Sequence, residues 1–253
     1  MLARRLIACL DVRDGQVVKG VNFDRLARAG DPVALAARYD AEGIDELALL
    51  DVTATLEGRR ALVDTVRRVA SNVFIPLVVG GGIKSIEDAK VLMDAGADKV
   101  SINSAALACP GLISSLAHLY GTQAVVVAID ARRAEGRYDV RSRSGTHAES
   151  REAIAWAREA ESCGAGEVLL TSIDRDGTRA GFDCELTAAV SRAVRIPVIA
   201  SGGAGTREHF AEVLTAGGAD AALAASVFHY SEHAIGDLKT FLASRGIPMR
   251  LDW

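Results

Sequence analysis

Short apolar runs recur along the chain at 6–12, 46–52, 76–80, 99–103, 123–130, 167–172, 197–201 and 221–225. Each is rich in Val, Ile, Leu or Ala and is followed by a turn and a longer amphipathic stretch. Runs that are apolar on both faces suit strands covered on both sides, as in a parallel sheet. The stretches 32–42, 60–71, 85–95 and 208–216 carry apolar residues at three- and four-residue intervals and predict helices. Asp31 before Pro32, and Ser85 followed by Asp88, mark helix starts. Gly43, Gly96, Gly164 and Gly217 stand where helices should stop. Eight β-α units in about 250 residues is the size of a (β/α)8 TIM barrel. A doubly wound open sheet is the second choice, since no GxGxxG fingerprint follows the first run.

The pattern also repeats. Cys9-Leu10-Asp11-Val12 resembles Ala128-Ile129-Asp130-Ala131, and Asp45-Glu46-Leu47 resembles Gly166-Glu167-Val168. Gly80-Gly81-Gly82-Ile83 resembles Ser201-Gly202-Gly203-Ala204, and Gly96-Ala97-Asp98 resembles Gly218-Ala219-Asp220. All four pairs keep the same order at a spacing of about 120 residues, and the matches include Asp, Glu and paired Gly. The expectation is one domain, 1–253, built from two half-barrels of about 1–121 and 122–253. Gly217-Gly218 carries one residue more than its counterpart, an adjustment at a helix terminus.

Composition narrows the class. Lys and Arg total 29 against 33 Asp and Glu, a net charge of −4, which argues against a nucleic-acid binder. No apolar run reaches the roughly 18 residues of a membrane span, and no secretory leader opens the chain, so it is expected in the cytoplasm. Cys9, Cys109, Cys163 and Cys184 fit no zinc or disulfide framework, and no metal is assigned.

In a barrel of this kind the chemistry lies at the C-terminal ends of the strands. The first run ends in Asp11 and the fifth in Asp130, which would face each other across the mouth. Opposed carboxylates suit a general acid and a general base on two sides of one substrate. Turn capping is the competing role for either one alone. The third run ends in Gly80-Gly81-Gly82 and the seventh in Ser201-Gly202-Gly203. Glycine lets backbone N–H groups approach an anion closely. Asn103 and Ser226, after the fourth and eighth runs, add side-chain donors. Two such ends suggest a substrate with a phosphate at each end. Asp51, Thr171, Asp176 and Gly177 follow the second and sixth runs and complete the candidate substrate contacts.

Asp14-Gly15 has hairpin chemistry, and the glycine-flanked Lys19 behind it suits closure over a phosphate, although a solvated lysine would look the same. At the opposite ends of the strands stand Arg5, Glu46, Lys99 and Glu167, either as solvated ends or as inward groups paired across the axis.

These motifs resemble one family. Ile7-Ala8-Cys9-Leu10-Asp11-Val12, Val18-Lys19-Gly20, Asp98-Lys99-Val100-Ser101-Ile102-Asn103, Thr171-Ser172-Ile173-Asp174-Arg175-Asp176-Gly177-Thr178 and Ser226-Val227-Phe228-His229 are similar to the cyclase subunit of imidazole glycerol phosphate synthase, along almost the whole chain. The resemblance implies a lyase of histidine biosynthesis. Ammonia and a bis-phosphorylated ribulosyl formimino aminoimidazole carboxamide ribotide would give imidazole glycerol phosphate and aminoimidazole carboxamide ribotide.

It implies Asp11 and Asp130 as the acid/base pair, Lys19 as a mobile-loop lysine, and phosphate sites at Gly82/Asn103 and Gly203/Ser226. No metal or organic cofactor is implied. A glutaminase subunit would dock on the N-terminal barrel face, with Asp98 and Gln123 at the interface and Arg5, Glu46, Lys99 and Glu167 gating a passage for ammonia. The resemblance and the residues agree on that import. Cys9 lies within the first run and has no histidine base beside it; His229, beyond the eighth run, is the nearest histidine to the active face. The segment 144–150 lacks the Thr-Gly pair expected there.

The isomerase of the preceding step shares the half-barrel repeat and the bis-phosphate, but needs no ammonia. A cyclase-like paralogue in a surface sugar pathway and a non-catalytic phosphometabolite sensor are the other readings.

Overall fold

A computed structural model describes residues 2–13, 16–21, 24–51, 63–143 and 145–252, with the backbone alone described over 19–21 and 24–29. Its strands are, in chain order, β1 (Arg5–Arg13), β2 (Gln16–Val21), β3 (Asp24–Gly30), β4 (Glu46–Asp51), β5 (Leu77–Gly80), β6 (Lys99–Ile102), β7 (Val125–Ala134), β8 (Arg137–Ser142), β9 (His147–Glu152), β10 (Glu167–Ser172), β11 (Val198–Ser201) and β12 (Ala221–Ala224). All eight expected runs form strands. They pair in parallel in the order β1, β4, β5, β6, β7, β10, β11, β12, and β12 returns to β1. The result is a closed (β/α)8 barrel with helices between its strands.

The four additional strands form antiparallel extensions. β2 and β3 follow β1, while β8 and β9 follow β7, at matching places in the repeat. The apolar pattern misses them because they are not covered on both faces: β9 reads His-Ala-Glu-Ser-Arg-Glu and is largely exposed. Asp14, Gly15 and Ser144 lie outside the described residues.

Helices Pro32–Ala41 and Ile86–Asp94 start at Asp31 and Ser85, whose side chains accept from the N–H of Ala34 and Asp88. Helix Arg207–Thr215 matches its pattern closely, and the described part of the 60–71 stretch is helical over Val63–Ala70. Three of the four glycine stops take left-handed backbone, at Gly43, Gly96 and Gly164. The fourth differs. Gly218, with φ +67°, takes the left-handed turn in place of Gly217, because the extra residue moves the reversal one position on.

Two apolar shells hold the barrel. Outward side chains such as Leu6, Leu47, Val100 and Val127 pack with Tyr39, Trp156 and Phe210 of the helices. Inward side chains form a separate core around Ile7, Ala48, Val78, Val126, Leu169 and Ile199.

Strand registers set these inward residues in layers of four drawn from alternate strands. Glu46, Lys99, Glu167 and Ala221 make the floor, with Ile7, Val78, Val126 and Ile199 next. Further up, Cys9, Gly80, Ala128 and Ser201 keep the axis narrow-sided. Leu50, Asn103, Thr171 and Ala225 come next. The following positions on the other four strands are Asp11, Gly82, Asp130 and Gly203. The two aspartates therefore alternate around the mouth with the two glycine turns.

Candidate active site

Asp11 and Asp130 end the inward rows of β1 and β7, so the fold brings them to opposite sides of one mouth. Their surroundings differ. Asp11 accepts from the Cys9 thiol at 3.2 Å, within its own strand. Asp130 accepts from Asn103 Nδ2 at 2.9 Å. Burial raises the Asp130 carboxyl, the negative charge of Asp176 raises it further, and the Asn103 amide lowers it. The net effect pushes it from 3.8 up to about 7, which suits a group that gives and takes a proton near neutrality.

Asn103 was expected at a phosphate end. Its N–H instead holds Asp130, while its Oδ1 is buried without a hydrogen-bond partner in the structure. Pattern alone carries no sign of this contact, which depends on β6 lying beside β7. Thr171, in register with Asp130 on β10, is buried on the other side of that aspartate.

The turn after β10 brings Asp176 and Gly177 over the mouth. The Asp176 N–H donates to Ser172 O at 3.0 Å, and Gly177 has φ +72°. The chain then crosses the glycine turn after β11, where Gly181 N–H donates to Gly203 O at 2.9 Å. Gly203 has φ +99°, and a Cβ there would lie 2.1 Å from the Gly181 carbonyl oxygen. Only glycine fits this crossing.

On the opposite side Gly81 and Gly82 have φ +97° and +70°. Ser226 opens a short helix, Ser226–His229, just as Ser104 opens Ser104–Ala108 in the first half. Asp51 is directed elsewhere. Its register partner is Val12, not inward Asp11, and it is buried beneath the Gly81 turn. Lys19 lies in β2, its backbone paired with Ala27 of β3; its side chain lies outside the described residues. His229 is buried in the outer shell, its Nδ1 2.6 Å from the Tyr39 hydroxyl, and does not line the mouth.

At the floor the four charged residues form a closed ring. Arg5 bonds Glu46 at 2.5 Å and Glu167 at 3.0 Å, and Lys99 bonds Glu46 at 2.8 Å and Glu167 at 3.1 Å. Burial works against the Arg5 charge, but Glu167 and Glu46 outweigh it and raise its pKa. Each carboxylate bridges two cations, so the residues pair inward as a plug across the axis. Around this plug stand Asp98 and Gln123, both exposed. The Asp98 carboxylate also accepts Leu77 N–H at 2.8 Å, and Gln123 Nε2 donates to Tyr120 O at 3.0 Å. Exposed Leu2, Phe74, Leu119 and Leu251 lie at the same end of the barrel; Phe74 is 97% exposed.

Among the described residues no helix is long and apolar enough to cross a membrane, and no cluster of three or more metal-ligating side chains occurs.

A family model described as "Histidine biosynthesis protein" matches residues 5–234. The imidazole glycerol phosphate synthase subunit HisF of Acidobacterium capsulatum is 61% identical over 251 residues, covering 99% of each chain. The chain belongs to the histidine biosynthesis protein family, where it stands with the HisF subunits of imidazole glycerol phosphate synthase.

Proposed function

We propose that this barrel, acting as one domain of two half-barrels, is the ammonia-using cyclase of imidazole glycerol phosphate synthase, a lyase working in the cytoplasm. Its substrate is the bis-phosphorylated ribulosyl formimino aminoimidazole carboxamide ribotide. The observation that carries this reading is the alternation of Asp11, Gly82, Asp130 and Gly203 around one mouth. Phosphates held at the two glycine turns would stretch the substrate between the aspartates, so that each carboxyl meets a different side of the reacting centre. The first anchor comprises Gly82 and the strand end at Asn103; the second comprises Gly203, Gly177 and Ser226. Lys19 and Thr171 serve as further substrate contacts.

Ammonia adds to the bound substrate, the intermediate is cleaved and the imidazole ring closes. Asp130, about half protonated near pH 7, supplies a proton to the departing group, and Asp11 removes one from the attacking nitrogen. The described residues include no thiol–histidine pair at the mouth to release ammonia from glutamine, so a separate glutaminase supplies it. That subunit docks on the floor face, where Phe74, Leu2, Leu119 and Leu251 are exposed at the same end of the barrel as Asp98 and Gln123. Exposed apolar residues gathered at one end of a barrel suit a protein interface. Ammonia then enters past the Arg5–Glu46–Lys99–Glu167 ring and the apolar layer of Ile7, Val78, Val126 and Ile199 to reach the smaller side chains higher on the axis. One arm of the ring must swing aside to let it through.

The test is direct. The isolated chain, given the bis-phosphate and ammonium salt, should release both imidazole glycerol phosphate and aminoimidazole carboxamide ribotide. It should make neither from glutamine until a glutaminase subunit is added. Sugar isomerisation without nitrogen incorporation would overturn the reading in favour of an isomerase.

A further inference from the structure

The hairpin above β7 holds an arginine that neither the motifs nor the family match assigns. β7 runs past the barrel and pairs with β8 so that Asp130 and Arg141 are direct antiparallel partners. Opposed residues of such a pair share one face, with Cβ atoms about 4.5–5.5 Å apart. The face is settled by the neighbouring pair: Ala131 and Val140, one position on, both belong to the outer apolar shell. Tyr138, Val140 and Ser142 are buried on that side, while Asp139 and Arg141 alternate with them. Arg141 therefore projects from the same side as Asp130, towards the mouth.

Its chemistry is incomplete. Arg132, Arg133, Arg137 and Arg151 on the same hairpin pair with Asp174, Glu185, Asp139 and Glu159. Arg143 is exposed. Arg141 has no ion pair among the described residues, and its Nε is buried without a hydrogen-bond partner. Asp130 does not fill this role, since its carboxylate takes the Asn103 amide. A guanidinium N–H shielded from water calls for an acceptor, and the planar guanidinium fork fits the oxygens of a phosphate. The hairpin's position shows which phosphate. Arg143 N–H donates to Ser104 Oγ at 3.1 Å, so the end of β8 is docked on the turn that follows Asn103.

We propose that Arg141 binds the substrate phosphate at the Gly82–Asn103 end, adding a side-chain cation to a site otherwise made of backbone donors. The proposal rests on the bis-phosphate reading above. It gives the Gly82 end an arginine from a strand pairing, where the Gly203 turn has Arg175 of the loop after β10 beside it.

Calorimetric titration of the full chain with inorganic phosphate tests it, using the wild type, Arg141→Gln, Arg141→Lys and Arg143→Gln. The expected result is that Arg141→Gln weakens one of two phosphate sites by about 10- to 100-fold, the worth of a charge-assisted hydrogen bond, and leaves the other unchanged. KM for the bis-phosphate should rise more than kcat falls. Arg141→Lys should recover part of the loss, and it keeps the test open should the glutamine variant fail to fold. Arg143→Gln should change neither site.

Unchanged phosphate binding in Arg141→Gln would overturn the assignment, most clearly if the carboxyl signal of Asp130 moved in a ¹³C titration, because Arg141 would then serve the aspartate. A wild type whose phosphate binding depends on Arg141 but which makes no imidazole glycerol phosphate would overturn the functional reading and leave Arg141 as an anion ligand.

Discussion

Replacing Asp130 by asparagine should make the protein more stable and nearly inactive, with a pH signature that reports the environment of the carboxyl. Below pH 3.8 the group is protonated in both folded and unfolded chains and contributes nothing. Above that the unfolded chain ionises it, while the fold, through burial and the charge of Asp176, keeps the proton until about pH 7. Stability is therefore lost at about 1.4 kcal/mol per pH unit across this window, levelling at up to about 4 kcal/mol. Asparagine has nearly the same shape, carries no charge and still accepts from Asn103, so it escapes the loss. Its advantage over the wild type should be about 1–2 kcal/mol at pH 5 and up to about 4 kcal/mol at pH 8. Urea unfolding at a series of pH values reads this as a widening gap in midpoint at constant slope. Turnover with ammonium should fall by about 10²–10⁴-fold. A gap that stays the same from pH 5 to pH 8, or a variant less stable at pH 8, would show that Asp130 ionises normally in the fold. The assignment of Asp130 as proton donor would then fail.

Four further outcomes follow from the same geometry. Asp176→Asn should lower the Asp130 pKa and move the high-pH limb of kcat to lower pH, with Asn103→Ala moving it the other way, measured at constant free ammonia. Arg5→Ala or Lys99→Ala should impair glutamine-dependent turnover in the complex more than ammonium-dependent turnover, which can use the open mouth; equal losses would leave the ring as a structural floor. Gly203→Val puts a side chain 2.1 Å from the Gly181 carbonyl at φ +99°, and should raise KM more than it lowers kcat while removing one phosphate site in titration. Phe74→Asp should weaken glutaminase binding, read as a higher Kd, without changing turnover with ammonium.

The barrel strands were legible because a strand covered on both faces must be apolar at every position, and that leaves a continuous run. Helix starts at Asp31 and Ser85 were legible for a local reason: the capping side chain and the N–H it accepts lie three residues apart. Of the hairpins above β1 and β7, Asp14-Gly15 signalled the first, whereas the second was hidden, because strands half in water carry mixed polar residues. Contacts between neighbouring strands were also hidden. Asp51 reads like a mouth residue because it ends a strand, yet one step of pleat turns it to the side of Val12. Asn103 and Arg141 reach the neighbourhood of Asp130 only through the register of β6 and β8 on β7.

The repeat supplies two aspartates at equivalent positions, but acid and base must have different proton affinities. At Asp130 burial and the charge of Asp176 raise that affinity and outweigh the Asn103 amide in the layer beneath, which lowers it. Asn103 and Thr171, on the strands either side of β7, flank Asp130 with polar groups; the repeat partners of those two residues, Ala225 and Leu50, flank Asp11 with apolar ones. The floor meets the opposite requirement. Glu46 and Glu167 are repeat partners and match, whereas the partner of Lys99 is Ala221, which leaves one cation short of an alternating ring. Arg5, in register beside Ala221, supplies it from the neighbouring strand. Duplication thus leaves the two ends of one axis under different demands. The floor recovers alternating charge through Arg5, so that every carboxylate is bridged and the plug is closed. At the mouth the symmetry stays broken, and two identical side chains have different neighbours. Exchanging Asn103 for its repeat partner, alanine, removes the hydrogen bond that lowers the Asp130 pKa and so raises that pKa without touching the carboxyl.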